Sequence, residues 1–218
     1  LHGVRRESYV LSSKVGRYGV SDFDFSATRV TRSVDESLRR LRTDYLDIVY
    51  CHDVEFGDGD EIVEDTLPAL RSLRETGKIR YIGISGLPLE LLASIARAGV
   101  IDVVLSYGRW TALNRELGEW APHFRRLGVG VINAAPFAMG LLAPGGPPPW
   151  HPASATIQAW CRETTNALRR ESVDIAQVAL QFAVSRKWAQ ATLASARSAA
   201  EVEQWRTWLA NPLPDSRR

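Results

Sequence analysis

The chain has 218 residues, 45% of them hydrophobic, which is enough to bury a sizeable core and within the range of α/β barrels that form one domain. Its 27 basic and 25 acidic residues leave a formal net charge of +2, and adjacent basic residues form short pairs (Arg5-Arg6, Arg39-Arg40, Arg125-Arg126, Arg169-Arg170, Arg217-Arg218) rather than a stripe, so nucleic-acid binding is not indicated. The two cysteines, Cys51 in an apolar run and Cys161, do not suggest a disulfide framework; with no apolar run near the roughly 18 residues of a membrane span and no leader pattern, a cytoplasmic location is expected.

In chain order, the apolar run from Tyr9 to Ser13 predicts a short strand, closed by Lys14 and followed by a loop through Gly16 and Gly19. Ser26 can cap the next helix, whose stripe is Val30, Val34, Leu38 and Leu41, and residues Tyr45 to Cys51 predict a buried strand closed by His52. A helix over Ile62 to Leu73 stops at Gly77 and leads into a strand over Ile79 to Ile84. Pro88 opens a helix that Gly99 ends, a strand follows over Ile101 to Leu105, then a helix over Leu113 to Leu127 and a strand over Val129 to Ile132. The segment LLAPGGPPPWHPAS is long and Pro/Gly-rich enough to be a lid or substrate loop. Helices over Ala155 to Arg170 and Asp174 to Lys187, a strand near Ala191 to Ala194 and a helix over Ser198 to Leu209 complete six strands alternating with helices.

Such alternation implies a parallel sheet covered by helices. No GxGxxG or GxxxxGK[ST] follows the first strand, which argues against a doubly wound nucleotide-binding domain. An α/β fold of the incomplete (β/α)8 TIM-barrel type, with about six βα units present and the first two missing, accounts for six strands. The chain starts at Leu1 rather than Met and is expected to be an N-terminally truncated single domain over 1–218. Lys14, His52, Ser85, Ser106, Ala135 and Ser195 would then share the rim where such barrels carry their chemistry. A metal-dependent hydrolase is disfavoured, because His2, His52, His123 and His151 are far apart with no HxH or HExxH spacing, and no metal ligands are assigned.

The segments VLSSKVGRYG, DFSATRVTRSVDESLRRLRTDYLDIVYCHDVEFG and LRETGKIRYIGISGLPLELL resemble the aldo-keto reductase family over nearly the whole chain. IDVVLSYGRW, GVGVINAAPFAMGLL and the PPPWHPAS loop are similar to its L-galactose dehydrogenase and L-fucose dehydrogenase-like branch. The resemblance implies a nicotinamide-dependent oxidoreductase acting on a small sugar, oxidising an aldose such as L-galactose or L-fucose at C1 to the lactone. It implies four acid–base residues, Asp, Tyr, Lys and His, of which Lys14 and His52 match the last two. The Asp and Tyr would precede Leu1, so the chain alone is expected to be largely inactive, and the alternative is a catalytically inactive relative or interaction subunit.

For the cofactor, the resemblance implies that Ser85 faces the nicotinamide amide and that Gly86 stands where the family usually has Asn. The main chain of Ala135, Phe137 and Gly140 is implied at the pyrophosphate, and Ser195, Arg197 and Glu201 lie in the adenosine-side segment. Trp205 falls on the usual adenine-side Asn position, which puts adenine binding in doubt. NAD or NADP is expected, with NAD slightly favoured, and Arg197 is the residue that would favour a ribose phosphate. Trp110, Trp150 and His151 are candidates to line the sugar site, since aromatic faces suit apolar sugar faces, against the alternative of core or lid aromatics.

Overall fold

The computed structural model describes residues 3–214; His2 and the Arg217-Arg218 pair lie outside them. Its strands are β1 (Ser12–Val15), β2 (Leu46–His52), β3 (Ile79–Gly86), β4 (Val103–Tyr107), β5 (Gly130–Ala134) and β6 (Ala191–Leu193). The helices are α1 (Ala27–Leu41), a three-residue α2 (Gly59–Glu61), α3 (Leu67–Glu75), α4 (Leu89–Ala98), α5 (Glu116–Arg126), α6 (Ala155–Arg170), α7 (Ile175–Ala183) and α8 (Ala199–Ala210). These residues group into two compact units, one running to Leu105 and including Pro122–Gly130, the other holding Ser106–Ala121 and the residues from Val131 onward.

In the first unit, β1, β2, β3 and β4 lie in sequence order, and the β1–β2 and β2–β3 ladders are parallel. Lys14 is paired with Tyr50, Tyr50 with Gly83 and His52 with Ser85, so these residues share one face of the sheet. The other face is closed by helices. Val30 and Val34 of α1, Leu67 and Leu70 of α3 and Leu92 of α4 are buried with Val49, Ile82 and Ile84, each burial contributing roughly 1.5–3 kcal/mol. Ser26 caps α1 as expected, accepting a hydrogen bond from the Arg29 N–H.

Two boundaries differ from expectation for identifiable reasons. The first strand is Ser12–Val15 rather than Tyr9–Ser13, because Arg6–Ser8 forms a 3₁₀ turn and the Leu11 N–H is accepted by the Asp47 carboxylate at 2.8 Å. Lys14 therefore lies within β1 and not just past it. The helix expected over Ile62 to Leu73 starts earlier, at α2, and passes through a π-turn over Ile62–Thr66 before α3. Pro68 has no N–H to continue an α-helical ladder, and a wider turn absorbs the break.

Gly83 is a packing requirement. A Cβ there would overlap the Tyr50 ring and stand 3.0 Å from Val103 Cγ1. Gly83→Ala should cost about 1–3 kcal/mol, as overpacking does in closed cores, and urea unfolding of the variant measures it.

In the second unit β5 and β6 are parallel neighbours, and Leu141, Leu142, Cys161, Ile175 and Ala179 form a core cluster. Trp110 is buried there, stacked on Phe182 and edge-on to Trp188, with both ring centroids 5.0 Å away. Cys51 and Cys161 are both buried free thiols, and no described helix is long and apolar enough to cross a membrane.

Candidate active site

The parallel register of β1, β2 and β3 brings their carboxyl ends together and with them Lys14, His52 and Ser85. Lys14 is exposed, while Ser85 is fully buried and its Oγ lies 2.8 Å from His52 Nδ1. Nε2 makes no hydrogen bond among the described residues, and the His52 side chain is 21% exposed. Of the expected catalytic and cofactor residues, these three are the ones brought together in the first unit.

Sequence reasoning missed two neighbours. Asp53, directly after β2, adopts the left-handed region at φ +56° and is buried, with Oδ1 3.3 Å from His52 Nδ1. Arg17, from the glycine-rich loop after Lys14, pairs with the other oxygen of Asp53. Asp53 reads from sequence as one of two acids bracketing a strand, and Arg17 as a loop cation. The available signal was their position next to the two motif residues.

Burial is the main influence on the His52 imidazole and lowers its pKa; Asp53 opposes this, and the charges of Lys14 and Arg17 add to the lowering. The ring is therefore neutral around neutral pH. A group whose pKa is depressed on folding stabilises the native state fully above its unfolded pKa, about 6.5, and loses that contribution as pH falls through the lower folded value. Denaturation measured at a series of pH values should show stability falling below about pH 6.5, and His52→Gln should remove that slope.

Two tyrosines near this rim could in principle substitute for the family's proton donor, and both titrate the wrong way. Burial pushes the Tyr50 phenol up to about 12. Burial also raises Tyr18, against the Gly16 N–H and Ser33 hydrogen bonds and the Arg29 guanidinium 3.6 Å from its ring.

The Glu55 carboxylate fills the space that a side chain at Gly86 would need. Glu55 Oε1 accepts from the Leu87 N–H at 3.0 Å, and Oε2 is buried without a hydrogen-bond partner. The Glu55 carboxylate thus lies directly beside the main chain of Gly86 and Leu87.

In the second unit the turn after β5 has Ala135, Ala138, Met139 and Gly140 all at positive φ, a concentration of backbone strain of the kind found at functional loops. The Ala135 N–H bonds to Leu193 O and the Gly140 N–H to Phe137 O, so both are already committed within the unit. Phe137 packs on Trp205 with centroids 5.1 Å apart. His151 is buried and staples the Pro-rich loop to this turn: its Nδ1 accepts from the Ala153 N–H at 3.0 Å and its Nε2 faces the Ala138 carbonyl at 3.1 Å. Trp150 beside it is 72% exposed, whereas Trp110 is a core residue. Ser195 and Arg197 are exposed, and Arg197 is bonded to Glu201 through its side chain and through its N–H at 2.7 Å. That N–H and the guanidinium together hold the Glu201 carboxyl below the usual range. Among the described residues no group of three or more His, Cys, Asp or Glu could hold a metal ion.

The sequence model of the Aldo/keto reductase family matches residues 2–217. L-galactose dehydrogenase of Arabidopsis thaliana is 42% identical over 204 residues, covering 92% of this chain and 64% of that protein. D-arabinose 1-dehydrogenase of Saccharomyces cerevisiae is 34% identical over 190 residues, covering 83% and 56%. The chain thus spans less than two thirds of the length of these relatives. Among solved structures, the holo form of aldo-keto reductase AKR11C1 from Bacillus halodurans matches with a TM-score of 0.77 at 27% identity, covering 99% of this chain and 72% of that one. The architecture is therefore α/β with six strands of an incomplete barrel, as the strand count implied.

Proposed function

The chain belongs to the aldo/keto reductase family, and on that premise we propose that it carries part of the active site of a nicotinamide-dependent sugar dehydrogenase that oxidises an aldose such as L-galactose or L-fucose at C1 to the lactone. The observation that carries the reading is the placement of Lys14, His52 and Ser85 at the ends of three adjacent parallel strands, with His52 joined to Ser85. A bound nicotinamide would accept hydride from the anomeric carbon. Lys14 would stabilise negative charge on an acid–base partner, and His52 would orient the sugar oxygen through Nε2.

The buried Glu55 Oε2 beside Gly86 has no hydrogen-bond partner, and that spare hydrogen-bonding capacity supports an amide-bearing ligand at the first unit. Ser85 would serve the nicotinamide end. With the Ala135 and Gly140 N–H groups committed, the turn after β5 would contribute through Phe137 and the strained main chain around it. Glu201 neutralises Arg197, which favours NAD over NADP, because a ribose phosphate would have to compete with that carboxylate.

By resemblance Lys14 and His52 match two of the family's four acid–base residues, and a site holding only those two is expected to turn sugar over about 10²–10⁴-fold more slowly than one holding all four. A second reading, a non-catalytic relative, is favoured by the raised Tyr50 and Tyr18, neither of which is suited to act as an acid near neutral pH. Titrating the protein with NADH and NADPH, then following reduction of NAD and NADP with an aldose panel, tests both readings. Tighter NADH binding with L-galactose or L-fucose oxidation supports the dehydrogenase. Cofactor binding with no turnover even at that slowed rate supports the second reading, and no cofactor binding rejects the dehydrogenase reading.

A further inference from the structure

We propose that Glu55 selects a carboxamide at this site, its Oε2 accepting a hydrogen bond from the NH2 group of a bound nicotinamide, and that Gly86 lacks a side chain to make room for it. The ligand's identity rests on the dehydrogenase reading above; the preference for the amide over the corresponding acid goes beyond it.

Gly86 ends β3 and does not need a glycine's backbone freedom, since it is not among the residues at positive φ. What the missing side chain provides is space. A Cβ there would collide with Glu55 Oε2 and stand 3.3 Å from Val54 Cγ2. The carboxylate is tied at one oxygen only: Oε1 accepts from the Leu87 N–H at 3.0 Å, while Oε2 is buried with no hydrogen-bond partner. A buried charged acceptor left unmatched is costly, so a ligand that brings it a donor gains that match on binding.

Position identifies the donor. Ser85, which the dehydrogenase reading puts at the nicotinamide end, immediately precedes Gly86 and is joined to His52. Glu55 Oε2 therefore lies beside the place that reading gives to the carboxamide. Glu55 is half-buried, and Phe56 and Leu87 on either side of the contact are exposed, which puts the carboxylate at the rim rather than in the core. A carboxamide presents N–H donors to a carboxylate. The corresponding acid, ionised at neutral pH, presents only acceptors and a second negative charge. The other charges on this rim do not create the same preference: Arg17 is paired with Asp53, and Lys14 by itself would attract the acid.

Calorimetric titration of the chain at neutral pH with NAD, and with its analogue carrying nicotinic acid in place of nicotinamide, tests this. The amide form should bind about 10–100-fold more tightly than the acid form, the range expected for a hydrogen bond to a charged group. Glu55→Gln should bring the two within about threefold, because the glutamine amide can donate to the acid and no longer repels it. Gly86→Ala should do the same by displacing the carboxylate. If neither variant folds, the ratio measured on the wild-type chain still decides. Equal binding of the two forms by the wild-type chain, or an undiminished amide preference in folded Glu55→Gln, would overturn the role of Glu55 and leave the dehydrogenase reading standing. Binding of neither dinucleotide would remove both together. All of these outcomes are read from binding and none depends on turnover.

Discussion

Asp47→Asn should lower the melting temperature by about 6–12 °C, far more than any exposed ion pair in the molecule could. Asp47 lies at the amino end of β2, the opposite end from His52, with a side chain only 7% exposed. Its Oδ2 accepts from Arg6 at 2.7 Å and from the Leu11 N–H, and its Oδ1 pairs with Arg80 at 3.0 Å. The two guanidinium groups also lie 3.9 and 4.0 Å from the Tyr45 ring centroid. Asparagine keeps the shape and an acceptor for Leu11 but leaves two arginines without their counter-charge. Removing one partner of a buried pair costs about 3–5 kcal/mol; Arg80 is half exposed, so about 3 kcal/mol is expected.

Burial decides this size, not distance. Lys78 and Asp35 approach to 2.6 Å, closer than either Asp47 contact, yet their side chains are 39% and 42% exposed. Asp35→Asn should therefore change stability by less than about 1 kcal/mol. The pH dependence gives a second check on Asp47. Burial alone would raise its carboxyl, but the Leu11 N–H, Arg6 and Arg80 outweigh it and hold the carboxyl below the usual range. The stabilisation is present above the unfolded pKa of about 3.9 and is lost as pH falls through the lower folded value, so Asp47→Asn should flatten the acid limb.

The repeating pattern of strand and helix made the six strands legible, because a parallel strand buried on both faces reads as a short apolar run. Boundaries were less legible where a side chain performs a backbone's role. Asp47 takes the Leu11 N–H just before β1, and Asp102 takes the Ile82 N–H of β3 at 2.7 Å, so in each case a carboxylate far away in sequence satisfies a backbone donor. The motif residues Lys14, His52 and Ser85 were legible through resemblance, and the register explains why they meet. Asp53 and Arg17 were marked only by their closeness in sequence to His52 and Lys14, and Glu55 carries no signal until folding places it beside a glycine. Trp110 and His151 show the converse: in sequence they suit a sugar site, yet a core stack engages one and two backbone contacts engage the other.

Lys14→Met should reduce kcat by about 10²–10⁴-fold, with a much smaller change in KM for the sugar, in any form of the protein that shows sugar-dependent reduction of NAD or NADP. Methionine keeps most of the length of the stem, and the Lys14 side chain is exposed rather than packed in the core, so the fold should survive with little loss of stability. The loss falls on kcat because an ammonium at this position acts on charge that develops during proton transfer, not on sugar hydroxyls in the ground state. A second consequence separates this role from a merely structural one. Lys14 is one of the two cations that lower the His52 pKa, so removing it should raise the pH at which His52 titrates, whereas removing an exposed cation outside this cluster, such as Arg125, should not. A fall in kcat without that shift would mean that the ammonium works at a distance from His52 and that the two residues do not form one electrostatic unit. The shift without the fall would leave the rim intact as a charged cluster but remove Lys14 from the chemistry.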